Sequence, residues 1–347
     1  MEKMFKRKIY IVVFIIILID AIIGYALFKS RSFSHLAIWD IIESSNQDDF
    51  YWLPDNAPGY FQFEPDKPGL DIFKNEIQLL IRNKKDDFGI MLEAAKYVVE
   101  IFPNTNQKGK ALKWDSPEGM LRQIRAGASG AHCFHRAILF SAYLSGSGLK
   151  SRLWALENEK FNSTAHTVNE VYIKSLKKWV FVDIMFGFYA VDQGNPLSFL
   201  ELREKLLNDR AGNILVQKIG DGAQERNDLP VFYPKLIKCV FLRVRNDFID
   251  KYNTRYGFLS VFQSRVDKLP NGIRIGTSYL FGGQDRFTHY VDRFSKSLKP
   301  DIIISKALFY FLVSTMFFIG ILGIVFILVF LRVLPAINLS IKDTRQR

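Results

Sequence analysis

Cysteine is scarce in this sequence, because 347 residues contain only two, Cys133 and Cys239. A fold held together by several disulfides is therefore excluded. Cys239 is the only intramolecular partner with which Cys133 can form a bridge in an oxidising compartment. A zinc site at His132, Cys133 and His135 is disfavoured, because three ligands from one helical turn diverge and no second C-x-x-C or H-x-x-x-H pair is present. We expect neither a metal nor a cofactor.

The sequence also lacks the features of nucleic-acid-binding proteins. Its net charge is +12, but it contains no basic block, no RNP signature and no zinc-finger spacing. Nucleic acid is therefore not expected as a partner. The basic excess is concentrated in 230–306, where fourteen Lys and Arg face six Asp and no Glu. Such a segment favours contact with anionic lipid or glycan, although an ordinary solvated basic face has the same composition.

Two long apolar runs are present, at 9–28 and at 307–331. Each is long enough to cross a bilayer as a helix, which takes about 20 residues. Basic residues precede the first run and follow the second, so the positive-inside rule predicts two cytoplasmic termini and an extracytoplasmic middle, periplasmic or on the cell surface. A cleaved signal peptide is the alternative for the first run, although its apolar region is usually shorter.

Between these runs, the patterns predict helices followed by strands. Ser116 is a predicted N-cap, with Pro117 as the first helical residue. A further helix is expected from about 130 to 145. Strand-like runs follow, which span 152–156, 167–173 and 179–183, and the last two flank a short polar hairpin connection. A helix packed on an antiparallel sheet, an α+β fold, is the expected arrangement.

Three residues at the junctions of these elements have the chemistry of a thiol catalytic triad. Cys133 lies in the first turn of its predicted helix, where free amides and the helix dipole favour a thiolate. His166 begins one strand of the hairpin and Asp183 ends the other. Because adjacent antiparallel strands lie about 4.8 Å apart, the carboxylate can orient the imidazole. Each residue alone has an ordinary structural explanation, and the combination favours catalysis.

The same stretch resembles the transglutaminase-like superfamily of papain-type thiol enzymes. The matching positions are Gly130, Cys133, Ala137, Gly148 and Arg152 in the helix pattern, and His166, Asn169, Glu170, Val171, Tyr172, Trp179 and Asp183 in the hairpin pattern. The resemblance covers roughly 115–205, and it implies Cys133 as nucleophile, His166 as general base and acid, and Asp183 as the orienting group. Val168 and Ile184 depart from the pattern. Gln123 and Trp114 are candidate oxyanion donors upstream.

These observations divide the chain into seven predicted segments. They are a cytoplasmic N-terminus (1–8), a transmembrane helix (9–28), an aromatic arm with a helical part (29–114), a transglutaminase-like catalytic core (115–205), a basic aromatic-rich extension (206–306), a second transmembrane helix (307–331) and a cytoplasmic tail (332–347). The expected fold is thus an α+β papain-like core flanked by two transmembrane helices.

The expected function is that of a membrane-anchored thiol enzyme acting on an amide or ester of a protein or peptide substrate. Hydrolysis and acyl transfer both remain open, as do peptidase, amidase and cross-linking activity. The lipid bilayer is an expected partner, with an anionic glycan or envelope proteins as further candidates. The alternative is a non-catalytic binding or assembly module of an envelope or surface-polysaccharide system, which uses Arg243, Arg245 and Arg255 as contacts. A channel would require oligomerisation and is disfavoured.

Overall fold

The computed structural model describes most of the central part of the chain and scattered positions near its ends. The described residues are 40–63, 68–84, 86–102, 110–112, 116–157, 166–208, 213–220, 229–244 and 286–295, with single residues and short stretches within 11–22 and 303–328. The chain divides into two units. One comprises Met1–Ala37, Ser264–Leu280 and Asp301–Arg347, and the other comprises Ile38–Gln263 and Phe281–Pro300.

The predicted transmembrane helices are not supported. Over the residues that the structure describes, no helix is both long enough and apolar enough to cross a bilayer. Many residues of both runs lie outside the described residues. This finding contradicts the predicted fold with two flanking spans and the predicted two-span localisation, and both predictions are withdrawn.

The second unit is built on one large sheet. Its strands are β1 (Asp40–Ser44), β4 (Ser151–Glu157), β5 (His166–Ile173), β6 (Lys178–Asp183), β7 (Phe188–Asp192), β8 (Asn195–Pro196), β9 (Ile214–Lys218), β10 (Cys239–Arg243) and β11 (Arg286–Tyr290). Their order is β1-β11-β10-β4-β5-β6-β7-β8, with β9 paired to β7. The β1–β11 pair is parallel and the other pairs are antiparallel. Two short strands, β2 (Lys110–Ala111) and β3 (Ala128–Gly130), form a separate parallel pair.

Seven helices accompany the described strands. They are α1 (Asp48–Tyr51), α2 (Asp71–Leu80), α3 (Asp87–Ile101), α4 (Pro117–Arg125), α5 (Cys133–Gly146), α6 (Phe199–Leu207) and α7 (Leu229–Leu236). Side-chain caps fix the starts of α4 and α6: the Ser116 hydroxyl accepts from the Gly119 amide at 3.1 Å, and the Ser198 hydroxyl accepts from the Glu201 amide at 3.3 Å. The predicted helix of 130–145 begins later, at Cys133, because β3 takes up the residues before it.

The sheet separates two hydrophobic cores. Successive side chains of a strand point to opposite faces. Leu153 of β4 therefore packs with helix α5, whereas Trp154 packs with the aromatic residues of the other face. Helix α5 is buried along most of its length, from His135 to Leu144. The helix that carries Cys133 is thus fixed against the sheet by its burial.

The sheet extends beyond the predicted core of 115–205. Strand β10 pairs with β4, and Cys239 lies opposite Glu157. Strand β11 then pairs with β10, and His289 lies opposite Phe241. Segment 206–306 therefore contributes three described strands, β9, β10 and β11, to the sheet that carries the predicted site, together with helix α7.

Candidate active site

Cys133 is the first residue of helix α5, and its thiol is half-buried. His132 precedes it in extended backbone conformation, with φ −87° and ψ 166°. The His132 amide donates to Nδ1 of His135 at 3.2 Å, and so satisfies one of the orphan amides at the start of the helix. Burial, with a smaller effect of His132, lowers the pKa of His135 to about 4. His135 is therefore neutral near pH 7 and can accept this hydrogen bond.

His166 and Asp183 meet at one end of the sheet. His166 is the first residue of β5 and Asp183 is the last residue of β6, and both are buried. His166 Nε2 lies 2.7 Å from Asp183 Oδ2. The imidazole also hydrogen-bonds the Cys133 thiol. Because Nε2 is taken by the carboxylate, Nδ1 is the nitrogen left for the sulfur.

The interactions among Cys133, His166 and Asp183 favour an ion pair between the thiol and the imidazole. Burial would raise the pKa of the Cys133 thiol, but the hydrogen bond and charge of His166, with a backbone hydrogen bond at Thr167, outweigh it and lower this pKa. Burial would lower the pKa of His166, but the charge and hydrogen bond of Asp183 and the contact with Cys133 raise it to about 10. Both shifts favour transfer of the thiol proton to the imidazole, which gives a thiolate beside an imidazolium.

The Asp183 carboxylate is held by donors on both oxygens. Oδ1 accepts from the amides of Met185 at 2.9 Å and Phe186 at 3.1 Å. Oδ2 accepts from the hydroxyl of Tyr233 as well as from His166. Backbone and side-chain donors thus fix the orientation of the acid relative to the imidazole.

Aromatic rings enclose the imidazole of His166. The ring centroids of Phe186, Phe232 and Tyr233 lie 5.1, 5.9 and 6.1 Å from that of His166. Phe232 and Tyr233 belong to helix α7, which the resemblance does not cover. An apolar enclosure limits access of water to the ring and strengthens its interaction with the carboxylate.

Asn169 joins the strand of the histidine to the helix of the cysteine. Its side-chain amide donates to the carbonyl of Ala137 and to the hydroxyl of Ser141, both at 3.0 Å. Asn169 is fully buried. The two hydrogen bonds fix helix α5 along strand β5, and so bring the thiol to the level of the imidazole.

Behind the site lies a buried ion pair. Arg152 Nε donates to Glu170 Oε2 at 2.7 Å, and Trp154 Nε1 donates to the same oxygen at 2.5 Å. Glu170 Oε1 accepts from the amide of Phe199 at 2.7 Å, at the start of α6. Arg152 also stacks on the ring of Trp179, 4.4 Å from its centroid. Arg152, Glu170 and Trp179, which matched the family pattern, therefore have packing roles here.

A second cation lies close to the triad. Arg136, one helical turn after Cys133, is buried, and its guanidinium stacks 4.5 Å from the ring centroid of Phe102. Burial lowers the pKa of Arg136 to about 10, and the charge of Asp183 partly opposes this. Its Nε has no hydrogen-bond partner in the described part of the chain.

The remaining predicted features have separate outcomes. Cys133 and Cys239 are not joined by a disulfide. Among the described residues, no group of three His, Cys, Asp or Glu side chains has the geometry for a metal ion. Of the candidate oxyanion donors, Gln123 lies in α4, and Trp114 lies outside the described residues.

The structure brings the three predicted site residues together and adds neighbours that the sequence did not indicate. Tyr233 is 50 residues beyond Asp183 and outside any motif. The sequence shows that Arg136 is a basic residue one turn after Cys133, but it does not indicate that Arg136 is buried. Searches against protein-family models, curated proteins and solved structures found no match to this chain.

Proposed function

We propose that this chain is a thiol enzyme that forms an acyl intermediate on Cys133 and passes the acyl group to water or to an amine. The observation that carries the proposal is the hydrogen-bonded chain from Cys133 through His166 to Asp183 at the start of a helix. Nucleophilic catalysis by a thiol requires an activated sulfur, a base in contact with it and a group that orients the base. All three requirements are met by neighbouring side chains.

Acylation follows from the charges of the resting pair. The Cys133 thiolate attacks the carbonyl carbon of an amide or ester, and a sulfur–carbon bond forms as the carbonyl π electrons move to oxygen. Collapse of this intermediate breaks the bond to the leaving nitrogen or oxygen, which takes the proton from His166. The products are a thioester on Cys133, a neutral imidazole and a free amine or alcohol.

Deacylation reverses the roles of the same residues. Neutral His166 takes a proton from water or from an amine, whose lone pair attacks the thioester carbonyl. The carbon–sulfur bond breaks, and the thiolate returns beside the imidazolium. Water yields a carboxylic acid and an amine acceptor yields a new amide. Asp183 remains ionised and stabilises the imidazolium in both halves of the reaction.

The start of α5 also suits the developing oxyanion. Amides in the first turn of a helix have no carbonyl partner within the helix, and they carry the positive end of its dipole. Cys133 is the first helical residue, so its own amide points toward the region where its acyl adduct forms. A preorganised donor at this position stabilises a tetrahedral intermediate.

The alternative of a binding module with a basic contact surface has less support. Arg243, one of its predicted contacts, is only 3% exposed and lies over the ring of Phe134 at 5.1 Å from its centroid. Arg245 and Arg255 lie outside the described residues. The one predicted contact that the structure describes is therefore interior.

Trapping of the acyl intermediate tests the proposal. The full chain is mixed with p-nitrophenyl acetate, and intact-mass spectrometry with peptide mapping locates any acetyl group. We expect rapid acetylation at Cys133 with release of nitrophenol, and loss of both in Cys133→Ala. Cys239→Ala is the matched control, because it removes the other thiol, and it should acylate like the parent. Acetylation that is absent, or that persists in Cys133→Ala at the parental rate, would contradict the proposal.

A further inference from the structure

Tyr233 approaches the triad from outside the segment that carries it. It lies in α7, and its hydroxyl donates to Asp183 Oδ2. The same oxygen is in contact with His166 Nε2 at 2.7 Å. Phenol and imidazole thus share one acceptor atom.

Packing holds the phenol in this position. Tyr233 is only 2% exposed. Its ring lies edge-on to Phe181 and Phe188, at centroid distances of 6.0 and 5.9 Å with interplanar angles of 86° and 80°. Edge-to-face contacts of this kind are the favoured arrangement of aromatic pairs. Movement of the phenol oxygen away from Asp183 requires the ring to move and would disrupt both contacts.

We infer that Tyr233 is a positioning residue of the proposed enzyme, and that its hydroxyl limits how strongly Asp183 holds the imidazolium of His166. The inference rests on the proposed function of the triad. An oxygen that accepts two hydrogen bonds has less negative charge to offer to each donor. Because Met185 and Phe186 amides bind Oδ1, the carboxylate stays in place when the phenol hydroxyl is removed.

The consequence for catalysis lies in the release of the proton. His166 must give its proton to the leaving group, and an imidazolium held too tightly is a poor acid. Tyr233 therefore keeps the proton transferable in a site where the charge and hydrogen bond of Asp183 favour its retention. Within the described part of the chain, Cys133 and Arg136, both on α5, are further titratable groups that act on Asp183 or His166.

The test is the titration of His166 in the full chain. Protein labelled with [13C]histidine is titrated by NMR from about pH 7 to about pH 10.5, and His166→Gln assigns the resonance. In Tyr233→Phe we expect the pKa of His166 to rise by a few tenths of a unit to about one unit, which corresponds to one hydrogen bond. Replacement of Tyr233 by 3,5-difluorotyrosine, a stronger donor of nearly the same shape, should shift the pKa in the opposite direction.

Tyr143→Phe is the matched control. Tyr143 is a fully buried tyrosine of α5 whose hydroxyl also donates to a carboxylate, Glu76 Oε2 of α2, at 2.7 Å. It should lose comparable stability without any shift at His166. A His166 pKa that is unchanged or lowered in Tyr233→Phe, or unchanged in the fluorinated protein, would overturn the inference.

The two proposals fail separately. Acetylation of Cys133 by p-nitrophenyl acetate in the parent chain reports on the proposed function alone. The shift at His166 reports on the coupling through Asp183 alone, because NMR detects it whether or not the chain turns over substrate.

Discussion

Asn169 of strand β5 donates a hydrogen bond of 3.0 Å to the carbonyl of Ala137 in helix α5. Asn169 follows His166 by three residues in β5, and Ala137 follows Cys133 by four residues in α5. The bond connects the two elements that carry the nucleophile and its base, in the interior of the protein. The thiol and imidazole therefore meet through a buried polar contact between helix and sheet, in addition to apolar packing.

Asn169→Ala should loosen that alignment. The change removes both side-chain hydrogen bonds of Asn169 and leaves the Ala137 carbonyl without this donor, at a cost of roughly 1–3 kcal/mol in unfolding free energy. Displacement of the thiol from the imidazole should lower acylation about tenfold to a hundredfold. Urea unfolding and nitrophenyl acetate turnover measure the two effects. Ser141→Ala, which removes only one of the two acceptors, should show a smaller loss of both, and an equal loss would refute the alignment role.

Asp183→Asn should reverse the hydrogen bonding of His166. The Asn oxygen is expected to keep the amides of Met185 and Phe186, so its NH₂ group would face His166 Nε2. Nε2 must then accept, Nδ1 carries the proton, and the imidazole no longer takes a proton from Cys133. Acylation should fall roughly 10²–10⁴-fold, and the pKa of His166 should fall because burial is then unopposed.

Asp192→Asn is the control for that change. Asp192 ends the neighbouring strand β7 and pairs with Lys205 at 2.7 Å, away from His166. It should leave the rate and its pH dependence unchanged. Equal rates for Asp183→Asn and the parent would show that the carboxylate does not orient the base.

Arg152→Met should destabilise the fold strongly, because Glu170 is then a buried carboxylate without its cation. Removal of one partner of a buried pair costs about 3–5 kcal/mol. The double variant Arg152→Met with Glu170→Gln should be less destabilised than Arg152→Met alone. The exposed pair Arg122–Glu118 offers the comparison: Arg122→Met should change unfolding free energy by less than about 1 kcal/mol. If the double variant is no more stable than Arg152→Met, packing of the guanidinium on its tryptophans contributes more to stability than the ion pair does.

Sequence reasoning selected three residues that the structure brings together, because their signals are local. A glycine-containing helix start, a polar hairpin and an aspartate at its end can each be recognised within a few residues. The same patterns did not reveal Tyr233, because its contact with Asp183 joins residues 50 apart and depends on where α7 packs. Nor does composition indicate that Arg136 is buried beside Phe102, since burial of a basic residue contradicts its ordinary preference.

Strand β10 was not predicted as part of the sheet. The segment 230–306 is basic and aromatic along its whole length, so its composition did not indicate β10, whose five residues are all buried. The transmembrane predictions were wrong for a different reason. Hydropathy measures only the composition of a run, and among the described residues no helix is long and apolar enough to cross a bilayer.

Glu157 should make stability fall as pH rises. Its carboxyl is 2% exposed, burial raises its pKa from 4.5 to about 8, and Oε1 has no hydrogen-bond partner within the described chain. Between these values the unfolded chain releases the proton while the folded protein retains it, so folding is increasingly penalised. The effect of Glu157→Gln on the free energy of unfolding should therefore be more stabilising at pH 9 than at pH 4, by roughly 3–5 kcal/mol.

Urea unfolding across this pH range measures the effect of Glu157→Gln. Glu118→Gln is the control, because the side chain of Glu118 is 42% exposed. A difference between Glu157→Gln and the parent that stays constant with pH would show that Glu157 is ionised in the folded protein.

The pH dependence of Cys133 alkylation tests the central claim most directly. Iodoacetamide is added to the full chain at a series of pH values, and the modified fraction of Cys133 is followed by peptide mass spectrometry. A thiolate paired with His166 should react at a nearly constant rate from about pH 6 to about pH 8, well below the usual thiol pKa of about 8.5. In His166→Gln the rate should instead rise with pH like that of an ordinary thiol. If the alkylation rate in the parent protein already rises with pH like that of an ordinary thiol, and His166→Gln does not change it, Cys133 is not an activated nucleophile.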